Sequence, residues 1–464
     1  MLWSLVVDEL LKRLEEQGFE VVGYADDLAI LIRGKFDSTI SNRMQIALNI
    51  TLQWCKNEGL NVNPSKTIIV PFTRRRNTTL VNPYLGGVKI EFSEEVKYLG
   101  VTLDKKLNWN SHLDKAISKG INALWICNKA LGKKWGLRPN MIYWIYSAII
   151  RPKITYASLI WWPKTNEVTA QKKLGKLQRL ACMAMTGAMR STPSAALDAL
   201  LNLLPLHHFI QLQAVKSALQ LRRNNIILEG DLVGHLRILR DFGLNTMKKT
   251  VEDWMITRTN FDIPYKVIKP SRRMWELGGP TINPGSTVFY TDGSKMGDDT
   301  GAGDYGPGVK KTISMGLSPT VFQAEIYAII QCVQICLKRK YRSTKICIFS
   351  DSQAALNALK AFTCQSKLVW ECILSLKQLA NRNEVSLYWV PGHCGIEGNE
   401  NADYLARQGS ATKFIGPEPF CGVPECTLRM TLKNWEKSMV ESTWNATDTS
   451  RQAKKFITPS VKAT

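Results

Sequence analysis

The sequence is poor in acidic residues, and this shortage is its least ordinary compositional feature. Its 464 residues include 39 Asp and Glu but 61 Lys and Arg, which gives a formal net charge of +22. A protein with this charge usually binds a polyanion, of which nucleic acid is the commonest. A basic surface without any partner is the alternative interpretation.

The sequence also lacks the features of secreted and membrane-spanning chains. No signal peptide opens it, because the first residues lead directly into an amphipathic helix. The apolar stretch 141–162 is interrupted by Arg151, Pro152 and Lys153. A membrane span needs about 20 predominantly apolar residues, so this stretch predicts buried helices and no membrane contact.

Cysteine is present without any of the patterns that give it a structural role. The eleven cysteines are scattered and odd in number, which favours reduced thiols in an intracellular protein of the nucleus or cytoplasm. Cys421 and Cys426 are spaced loosely like metal ligands, but no histidine or further cysteine lies near them. A zinc site there is therefore not expected.

The positive charge is unevenly distributed along the chain. Residues 286–410 contain 13 Lys and Arg against 11 Asp and Glu, a net of +2, so +20 of the +22 lies in the flanks. This distribution predicts flanks that hold a phosphate backbone beside a nearly neutral part that carries carboxylate chemistry. The basic runs of the flanks are Arg74-Arg75-Arg76, Lys133-Lys134, Lys172-Lys173 and Arg222-Arg223.

Hydrophobic periodicity divides the first part of the chain into a mixed and a helical region. Helices are predicted over 4–17 and 38–58, and residues 21–32 predict two apolar strands around a tight acidic turn. Short strands are expected within 60–103. Residues 110–245 then follow a helical pattern rich in Leu, Lys and Arg.

The second part of the chain predicts an α/β domain that begins with a hairpin. Glycine and proline mark residues 268–286 as a linker, and the tail 411–464 is polar with some helical character around 429–441. The elements predicted between them are a strand at 287–292, a glycine-rich turn, a strand near 308–316, helix 321–338, strand 345–350, helices 352–360 and 367–381, strand 385–390 and helix 399–409.

Four acidic residues and one histidine lie where these predicted elements meet. Asp292 ends a strand, on the same face as its apolar neighbours. Glu325 lies on the apolar face of its helix, where an unpaired carboxylate is destabilising by several kcal/mol. Asp351 follows a buried strand, Asp403 lies near the start of the last helix, and His393 lies in a Pro-Gly loop.

Each of these residues, taken alone, also has an ordinary structural explanation. Asp292 can belong to an Asp-Gly turn, Glu325 to a structural ion pair, and Asp351 to a helix N-cap. Asp403 is favourable near a helix N-terminus because of the helix dipole. A single loop histidine such as His393 is unremarkable.

Together, however, the residues follow the motif order of a known family. The five motifs are Tyr290-Thr291-Asp292-Gly293-Ser294, Gln323-Ala324-Glu325, Ser350-Asp351-Ser352-Gln353-Ala354-Ala355-Leu356, Trp389-Val390-Pro391-Gly392-His393 and Gly398-Asn399-Glu400-Asn401-Ala402-Asp403. In this order they resemble type 1 ribonuclease H over the whole 286–410 region, with no catalytic position substituted.

The resemblance implies hydrolysis of the RNA strand of RNA–DNA hybrids with two Mg²⁺ ions, or Mn²⁺, about 4 Å apart. It implies that Asp292 bridges both ions, that Glu325 and Asp351 bind one each, and that Asp403 supports the side of the attacking water. His393 would assist proton transfer or product release. Hard oxygen ligands suit these cations.

The resemblance also implies how a hybrid would be distinguished and where binding would differ from the family. Contacts to successive 2′-hydroxyl groups would select the hybrid, with Gly293, Ser294 and Gln323 as the expected contacts. One departure concerns the single helix at 367–381, because the additional basic substrate-binding helix of some family members is missing. The basic flanks are expected to take over that task.

A second motif lies in the first part of the chain. Tyr24-Ala25-Asp26-Asp27 between two apolar strands resembles the catalytic hairpin of reverse transcriptases, and adjacent carboxylates suit metal binding. An acidic surface turn is the alternative. The segments 60–67 and 96–101 resemble later palm motifs of jockey- and R1-like non-LTR retrotransposon polymerases. About 23 residues precede the hairpin, too few for a third aspartate strand and fingers, so Asp26 and Asp27 are expected to be relics or weak metal ligands.

The predicted organisation is a partial reverse-transcriptase palm (1–108), a helical thumb or connection region (109–267), a linker (268–286), a ribonuclease H-like mixed sheet flanked by helices (287–410) and a C-terminal extension (411–464). The expected function is hybrid-specific endonucleolytic hydrolysis in a retrotransposon-derived protein. A non-catalytic remnant that binds RNA or DNA is the alternative. An active reverse transcriptase is the third possibility, if the chain belongs to a longer product.

Overall fold

The computed structural model describes residues 2–73, 75, 78–129, 138–224, 226, 234–242, 252–416, 420–448 and 450–457. Of the basic runs, Arg74, Arg76, Lys133 and Lys134 lie outside the described residues. The chain forms two compact units, Met1–Leu197 and Asp198–Thr464. These units do not coincide with the predicted domain limits.

The first unit is mixed in its first hundred residues and helical afterwards, as the periodicity predicts. A single π-helical stretch, Tyr146–Ile150, joins its fourth and fifth helices. The elements are α1 (Leu2–Glu16), β1 (Glu20–Tyr24), β2 (Asp27–Leu31), α2 (Asp37–Asn57), β3 (Tyr84–Leu85), β4 (Val88–Lys89), β5 (Glu95–Tyr98), β6 (Val101–Asp104), α3 (Asn110–Lys129), α4 (Pro139–Ile145), α5 (Arg151–Ile154), α6 (Ser158–Trp161) and α7 (Val168–Thr186), and α8 (Ser194–Leu200) crosses the limit between the units.

The predicted acidic hairpin is present in the first unit. Strands β1 and β2 pair antiparallel with Tyr24 opposite Asp27. Apolar residues of α1 and α2, among them Leu14 and Trp54, form a small core on which this hairpin packs. Ala25 adopts a positive φ of 52° at the tip, which lets the chain turn tightly.

The second unit contains the predicted α/β region together with segments on both sides of it. Its elements are α9 (Leu206–Arg223), α10 (Arg237–Asp241), β7 (Arg258–Thr259), β8 (Lys266–Ile268), α11 (Arg272–Glu276), β9 (Thr287–Met296), β10 (Asp299–Gly306), β11 (Val309–Gly316), α12 (Val321–Lys338), β12 (Lys345–Ser350), α13 (Gln353–Lys360), β13 (Thr363–Cys364), α14 (Lys367–Ala380), β14 (Glu384–Trp389), α15 (Glu397–Ala411) and α16 (Glu425–Asn445).

A six-stranded mixed sheet organises this unit, in the order β11-β10-β9-β12-β14-β8. The first three strands pair antiparallel, whereas β12 pairs parallel with both β9 and β14, and β14 pairs parallel with β8. The carboxyl ends of β9, β12 and β14 therefore lie at one edge of the sheet. This arrangement confirms the predicted mixed sheet flanked by helices.

The glycine-rich stretch after β9 is a strand and not the predicted turn. Residues 299–306 form β10, which lies between β9 and β11. A Cβ atom on Gly301 would lie 2.2 Å from the backbone nitrogen of Ser410, and one on Gly303 would lie 2.4 Å from the carbonyl oxygen of Ala402. The glycines are therefore needed because α15 packs directly on the strand backbone.

The predicted linker 268–286 is also structured. It contains α11, whose Trp275 packs edge-on against Phe349 of the sheet and donates a hydrogen bond to the carbonyl oxygen of Trp389 at 3.2 Å. Strand β8, just before it, extends the sheet. The glycine and proline signals marked the local turns correctly but gave no information on these long-range contacts.

The main core of the second unit lies between the sheet and helices α12, α13 and α14. Ile326, Ile329, Val333 and Cys336 project from α12 into it. By length and composition α12 is the one described helix that could cross a bilayer, but 56% of its residues are buried in this core. A core helix with an apolar surface on most sides fits its position under the sheet.

Candidate active site

Asp292 and Asp351 lie side by side on neighbouring parallel strands. Thr291 of β9 pairs with Ser350 of β12, so the residues that follow them are adjacent. Asp292 lies within β9 and not at its end, because the strand continues to Met296. Asp351 directly follows β12, and Ser352 caps the next helix by accepting a hydrogen bond from the backbone of Ala355. Helix capping therefore does not explain Asp351.

Glu325 reaches the same edge from the first turns of α12. It is 4% exposed, and among the described residues no Lys or Arg forms an ion pair with it. The Ser350 hydroxyl donates a hydrogen bond to Glu325 Oε2 at 3.4 Å. A structural ion pair, the ordinary explanation for this carboxylate, is thus not observed.

Gly293 allows α12 to come close enough for this meeting. A Cβ atom at Gly293 would lie 2.6 Å from the backbone nitrogen of Glu325, which only glycine avoids. The backbone N–H of Gly293 partly offsets the rise in the pKa of both Asp292 and Glu325. The Asp-Gly pair therefore serves close packing at the acidic site and not a turn.

The three carboxyl groups form one buried cluster. Asp292, Glu325 and Asp351 each offer an oxygen, and these atoms lie within 4.8 Å of one another. Burial and the charges of Asp351 and Asp403 raise the pKa of Asp292 to about 8. Burial, with the charges of its neighbours, also raises the pKa of Glu325 and of Asp351. Like charges in a poorly solvated site favour protonation or a bound cation.

A second cluster lies against the first. Ligand atoms of His393, Glu400 and Asp403 lie within 4.8 Å of one another, with His393 Nδ1 3.7 Å from Asp403 Oδ2. The charge of Asp403 contributes to the raised pKa of Asp292 and of Asp351, so the two clusters adjoin. The structure therefore brings together all five residues that the sequence singled out for catalysis.

Asp403 is held by an arginine that the sequence analysis did not identify. Arg407, one turn further along α15, donates from Nε to Oδ1 at 2.9 Å and from an amino nitrogen to Oδ2 at 2.8 Å. The Asp403 side chain is only 14% exposed. Glu400 was also missed. The spacing of Glu400, Asp403 and Arg407 on one helix face was the available signal.

The loop that carries His393 is shaped by the acidic site. A Cβ atom on Gly392 would lie 2.6 Å from Asp351 Oδ2, so a side chain there would displace the carboxylate. His393 adopts a positive φ of 54°, and its side chain is 68% exposed. The ring therefore lies at the mouth of the acidic site, accessible to solvent.

One of the three predicted substrate contacts is wrong. Gln323 is fully buried, and its amide nitrogen donates to Asp253 Oδ2 at 3.2 Å and to the carbonyl oxygen of Gly422 at 2.7 Å. Its carbonyl side completes a capping box with Thr320. A side chain with these partners has no group left for a substrate. Gly293 and Ser294 are partly exposed and stay predicted contacts.

The aspartates of the first unit have a different setting. Asp26 and Asp27 lie at the tip of the β1–β2 hairpin, and both are exposed. They belong to neither of the two groups of three or more potential metal ligands found among the described residues. The expectation of a relic or weak metal site there stays a prediction.

Comparison with protein families agrees with both regions of interest. The family model "RNase H" matches residues 284–411, which contain both side-chain clusters. The family model "Reverse transcriptase (RNA-dependent DNA polymerase)" matches residues 1–103, which contain the hairpin. The chain joins a reverse-transcriptase region to a ribonuclease H domain. The ribonuclease H domain is a nuclease fold and implies nucleic-acid binding.

The curated relatives of this chain include non-LTR retrotransposon proteins of the R1 and jockey type. The 115 kDa protein of retrotransposable element R1DM from Drosophila melanogaster is 24% identical over 47% of this chain and 21% of that protein. A retrovirus-related Pol polyprotein of element R1 from Nasonia vitripennis is 22% identical over 44% of this chain and 62% of that protein. The RNA-directed DNA polymerase of mobile element jockey from Drosophila melanogaster is 26% identical over 36% of this chain and 18% of that protein. The chain thus spans less than two thirds of these relatives.

Proposed function

We propose that the ribonuclease H domain hydrolyses the RNA strand of RNA–DNA hybrids with the help of two divalent cations. The observation that carries this proposal is the convergence of Asp292, Glu325 and Asp351 at one sheet edge. These residues come from two strands and a helix that are distant in sequence. Such convergence of buried carboxylates is destabilising unless a cation or a proton compensates for it.

The donor set fits a hard divalent cation. Carboxylate oxygens are the ligands that Mg²⁺ and Mn²⁺ prefer, and the raised pKa of Asp292 records the repulsion that a cation would relieve. Because their oxygens lie within 4.8 Å of one another, Asp292, Glu325 and Asp351 would together hold one ion, in place of the separate ions expected for Glu325 and Asp351. Asp292 with Asp403 would hold the other ion. When bound, such ions activate a water molecule and stabilise the leaving 3′ oxygen.

The chain's own residues would then position and exchange protons. His393 is exposed, and its Nδ1 lies 3.7 Å from Asp403 Oδ2. We assign it the transfer of a proton at the mouth of the site during product release. Arg407 donates two hydrogen bonds to Asp403 and would compete with a cation for its carboxylate.

Specificity for a hybrid is assigned to the surface around β9. The partly exposed backbone and side chain at Gly293 and Ser294 lie beside Asp292, where 2′-hydroxyl groups of the RNA strand would pass. Gln323 has no part in this, because it is buried. The predicted basic run Lys172-Lys173 of the first unit is exposed and would bind phosphates.

Cleavage of a labelled RNA–DNA hybrid by the full chain tests the proposal. We expect Mg²⁺-dependent cleavage of the RNA strand, abolished by EDTA and by Asp351→Asn, with single-stranded RNA and duplex DNA left intact. Asp262→Asn, an exposed carboxylate away from both clusters, is the matched control. Tight hybrid binding by an inactive wild-type chain would instead support the non-catalytic alternative.

DNA synthesis is the second candidate function, favoured by the reverse-transcriptase match over residues 1–103. We propose that this chain by itself does not extend primers. Asp26 and Asp27 gain no third metal ligand from the described part of the chain. Primer extension on an RNA template by the wild type, lost in Asp26→Asn, would overturn this proposal.

We also propose that the protein acts inside cells, in the nucleus or cytoplasm. Seven of the ten cysteines whose side chains are described are buried, among them Cys332, Cys336 and Cys372. Buried reduced thiols suit a reducing compartment. Fractionation of cells that express the tagged chain would test this, and recovery in the medium would contradict it.

A further inference from the structure

Two segments outside the matched ribonuclease H residues 284–411 hold the start of helix α12. They are residues 252–254 and 420–423, and we call them the flanking brace. The amide nitrogen of Gln323 donates to Asp253 in the first segment and to the carbonyl oxygen of Gly422 in the second. Gln323 is thus the point where both segments meet the helix.

Asp253 is the centre of the brace. Its Oδ1 accepts a hydrogen bond from the backbone nitrogen of Leu368 at 2.9 Å, and both its oxygens accept from the hydroxyl of Ser366. It is 8% exposed. Because Ser366 caps α14, one buried carboxylate ties the starts of α12 and α14 together.

The two segments of the brace also hold each other. The backbone nitrogen of Asp253 donates to the carbonyl oxygen of Val423 at 3.0 Å, and Glu252 forms an isolated bridge with the same residue. Gly422 lies so close that a Cβ atom there would be 2.6 Å from the Asp253 nitrogen. Phe420 packs edge-on against Tyr327 of α12.

An ion-pair group anchors the brace to two further helices. Arg223 at the end of α9 lies 2.9 Å from Glu252 and 3.2 Å from Glu425 at the start of α16. The side chains of Arg223 and Glu252 are 17% and 13% exposed. Arg223 therefore serves the brace and is not part of a phosphate-binding run.

The brace acts close to the proposed chemistry. Gln323 precedes Glu325 by two residues in the same helical turn, and Glu325 must meet Asp292 and Asp351 within 4.8 Å. Outer partners that orient metal ligands typically contribute 10- to 100-fold to metal affinity. A shift of the α12 start would move the Glu325 carboxylate away from its two partners.

We propose that Gln323 and Asp253 are positioning residues that set Glu325 for cation binding, so that the flanking brace is part of the functional nuclease unit. The inference rests on the proposed metal-dependent cleavage. It assigns a role to two segments that lie outside the matched ribonuclease H residues.

The test uses the full chain and compares Asp253→Asn with the matched control Asp262→Asn. The asparagine can still accept from Leu368, but its amide nitrogen opposes the donor of Gln323. We expect the half-saturating Mg²⁺ concentration for hybrid cleavage to rise about 10-fold, with KM for the hybrid unchanged. Calorimetric titration with Mn²⁺ in the absence of substrate should show the same loss of affinity.

A donor–acceptor exchange separates positioning from simple stabilisation. Gln323→Glu alone places two carboxylates together and should weaken Mn²⁺ binding further. Combined with Asp253→Asn it restores the donor–acceptor pair with residue 253 but not the bond to the Gly422 carbonyl, and we expect the double variant to regain part of the Mn²⁺ affinity. If Asp253→Asn does not fold, a folded double variant with restored affinity still supports the inference, and a double variant no better than either single variant overturns it.

The outcomes are distinguishable from failure of the proposed function. Wild type that neither binds Mn²⁺ nor cleaves hybrid would sink the proposed function itself. Wild type that does both, beside an Asp253→Asn variant with a lowered melting temperature but unchanged Mg²⁺ and Mn²⁺ affinity, would overturn the positioning role alone. All measurements are made about 20 °C below the melting point of the least stable variant, so that every chain is folded.

Discussion

Two groups of carboxylates in this chain differ in their spacing along the sequence and in their exposure to solvent. Asp26 and Asp27 are adjacent in sequence, exposed, and placed together by a two-stranded hairpin. Asp292, Glu325 and Asp351 are spread over sixty residues and placed together by two parallel strands and a helix, with Asp292 and Glu325 buried and Asp351 half-buried. The adjacent pair is easily recognised in the sequence. The dispersed group is the one whose pKa values are raised by burial and mutual charge.

The difference shows what a fold must provide to bring carboxylates together in a buried site. Adjacent acids on a solvated turn require nothing from the rest of the chain, because water screens their repulsion. Buried acids that approach within 4.8 Å require glycine at Gly293 and Gly392, close packing of α12, and a partner for the charge. A chain that retains such an arrangement keeps the means of binding a cation.

The largest effect is expected from substituting one carboxylate of the dispersed group. A matched substitution in the adjacent pair is its control. Asp351→Asn should reduce hybrid cleavage more than about 100-fold, because it removes a proposed cation ligand and leaves the others uncompensated. Asp27→Asn, its matched partner in the exposed group, should leave cleavage unchanged. Initial rates at saturating Mg²⁺ measure both, and equal losses in the two variants would erase the contrast.

A buried acid outside both clusters tests whether burial alone matters. Asp304 of β10 is fully buried, and among the described residues neither of its carboxylate oxygens has a hydrogen-bond partner. Burial raises its pKa to about 8, opposed in part by Lys311. The folded pKa exceeds the unfolded one, so the protonated form favours folding. The contribution of Asp304 to stability is thus present below pH 4 and lost as pH rises through 8.

Asp304→Val should therefore stabilise the protein at pH 9, by about 2–5 kcal/mol in the free energy of unfolding, and less at pH 5. Denaturant unfolding at both pH values measures this, with Asp262→Asn as an exposed control. Cleavage should be unchanged, since Asp304 is in neither cluster. A variant that is less stable at pH 9 would show that the carboxylate is compensated in the folded chain.

Competition between protons and cations for the carboxylates should also distinguish the buried group from the exposed one. The pKa of Asp292 is raised to about 8 without a cation, so cation binding must displace a proton below that pH. The half-saturating Mg²⁺ concentration should fall by up to about 10-fold for each pH unit between pH 6 and pH 8, and should be constant above pH 8. Calorimetry in two buffers of different ionisation enthalpy counts the released protons. Release of none at pH 7 would contradict the raised pKa.

The residue patterns predicted much of this architecture because they depend on local physics. Alternation and helical spacing located α12, β12 and α14 within one or two residues, since each buries a regular face. The five motif residues were identified instead by their resemblance to the motif order of type 1 ribonuclease H, because each of them alone has an ordinary structural explanation. Their convergence within two adjoining clusters then follows from the parallel pairing of β9 and β12.

What the patterns missed depends on contacts between distant segments. Strand β10 reads as a turn because its glycines are selected by α15, about a hundred residues later. Gln323 reads as a substrate contact because its partners, Asp253 and Gly422, lie outside the region that the motifs define. The linker assignment failed likewise at Trp275, which packs on the sheet. Composition carries no signal for such pairings.

The smallest expected effect concerns Arg407. Asp403 is intermediate between the two groups of carboxylates, because its side chain is largely buried while its charge is compensated by the guanidinium group of Arg407. The Arg407 side chain is 52% exposed, so its ion pair with Asp403 is screened and worth about 0.2–1 kcal/mol. In Arg407→Gln, Asp403 becomes a more attractive ligand, and the half-saturating Mg²⁺ concentration should fall about 2- to 5-fold at low salt and converge with wild type at high salt. Arg429→Gln, which breaks an i,i+4 pair of the same kind with Glu425 on α16, is the matched control and should leave Mg²⁺ dependence unchanged. A rise in the half-saturating Mg²⁺ concentration of Arg407→Gln would mean that Arg407 orients Asp403 and does not compete for it. The geometry of the buried group would then depend on α15 as it depends on α12.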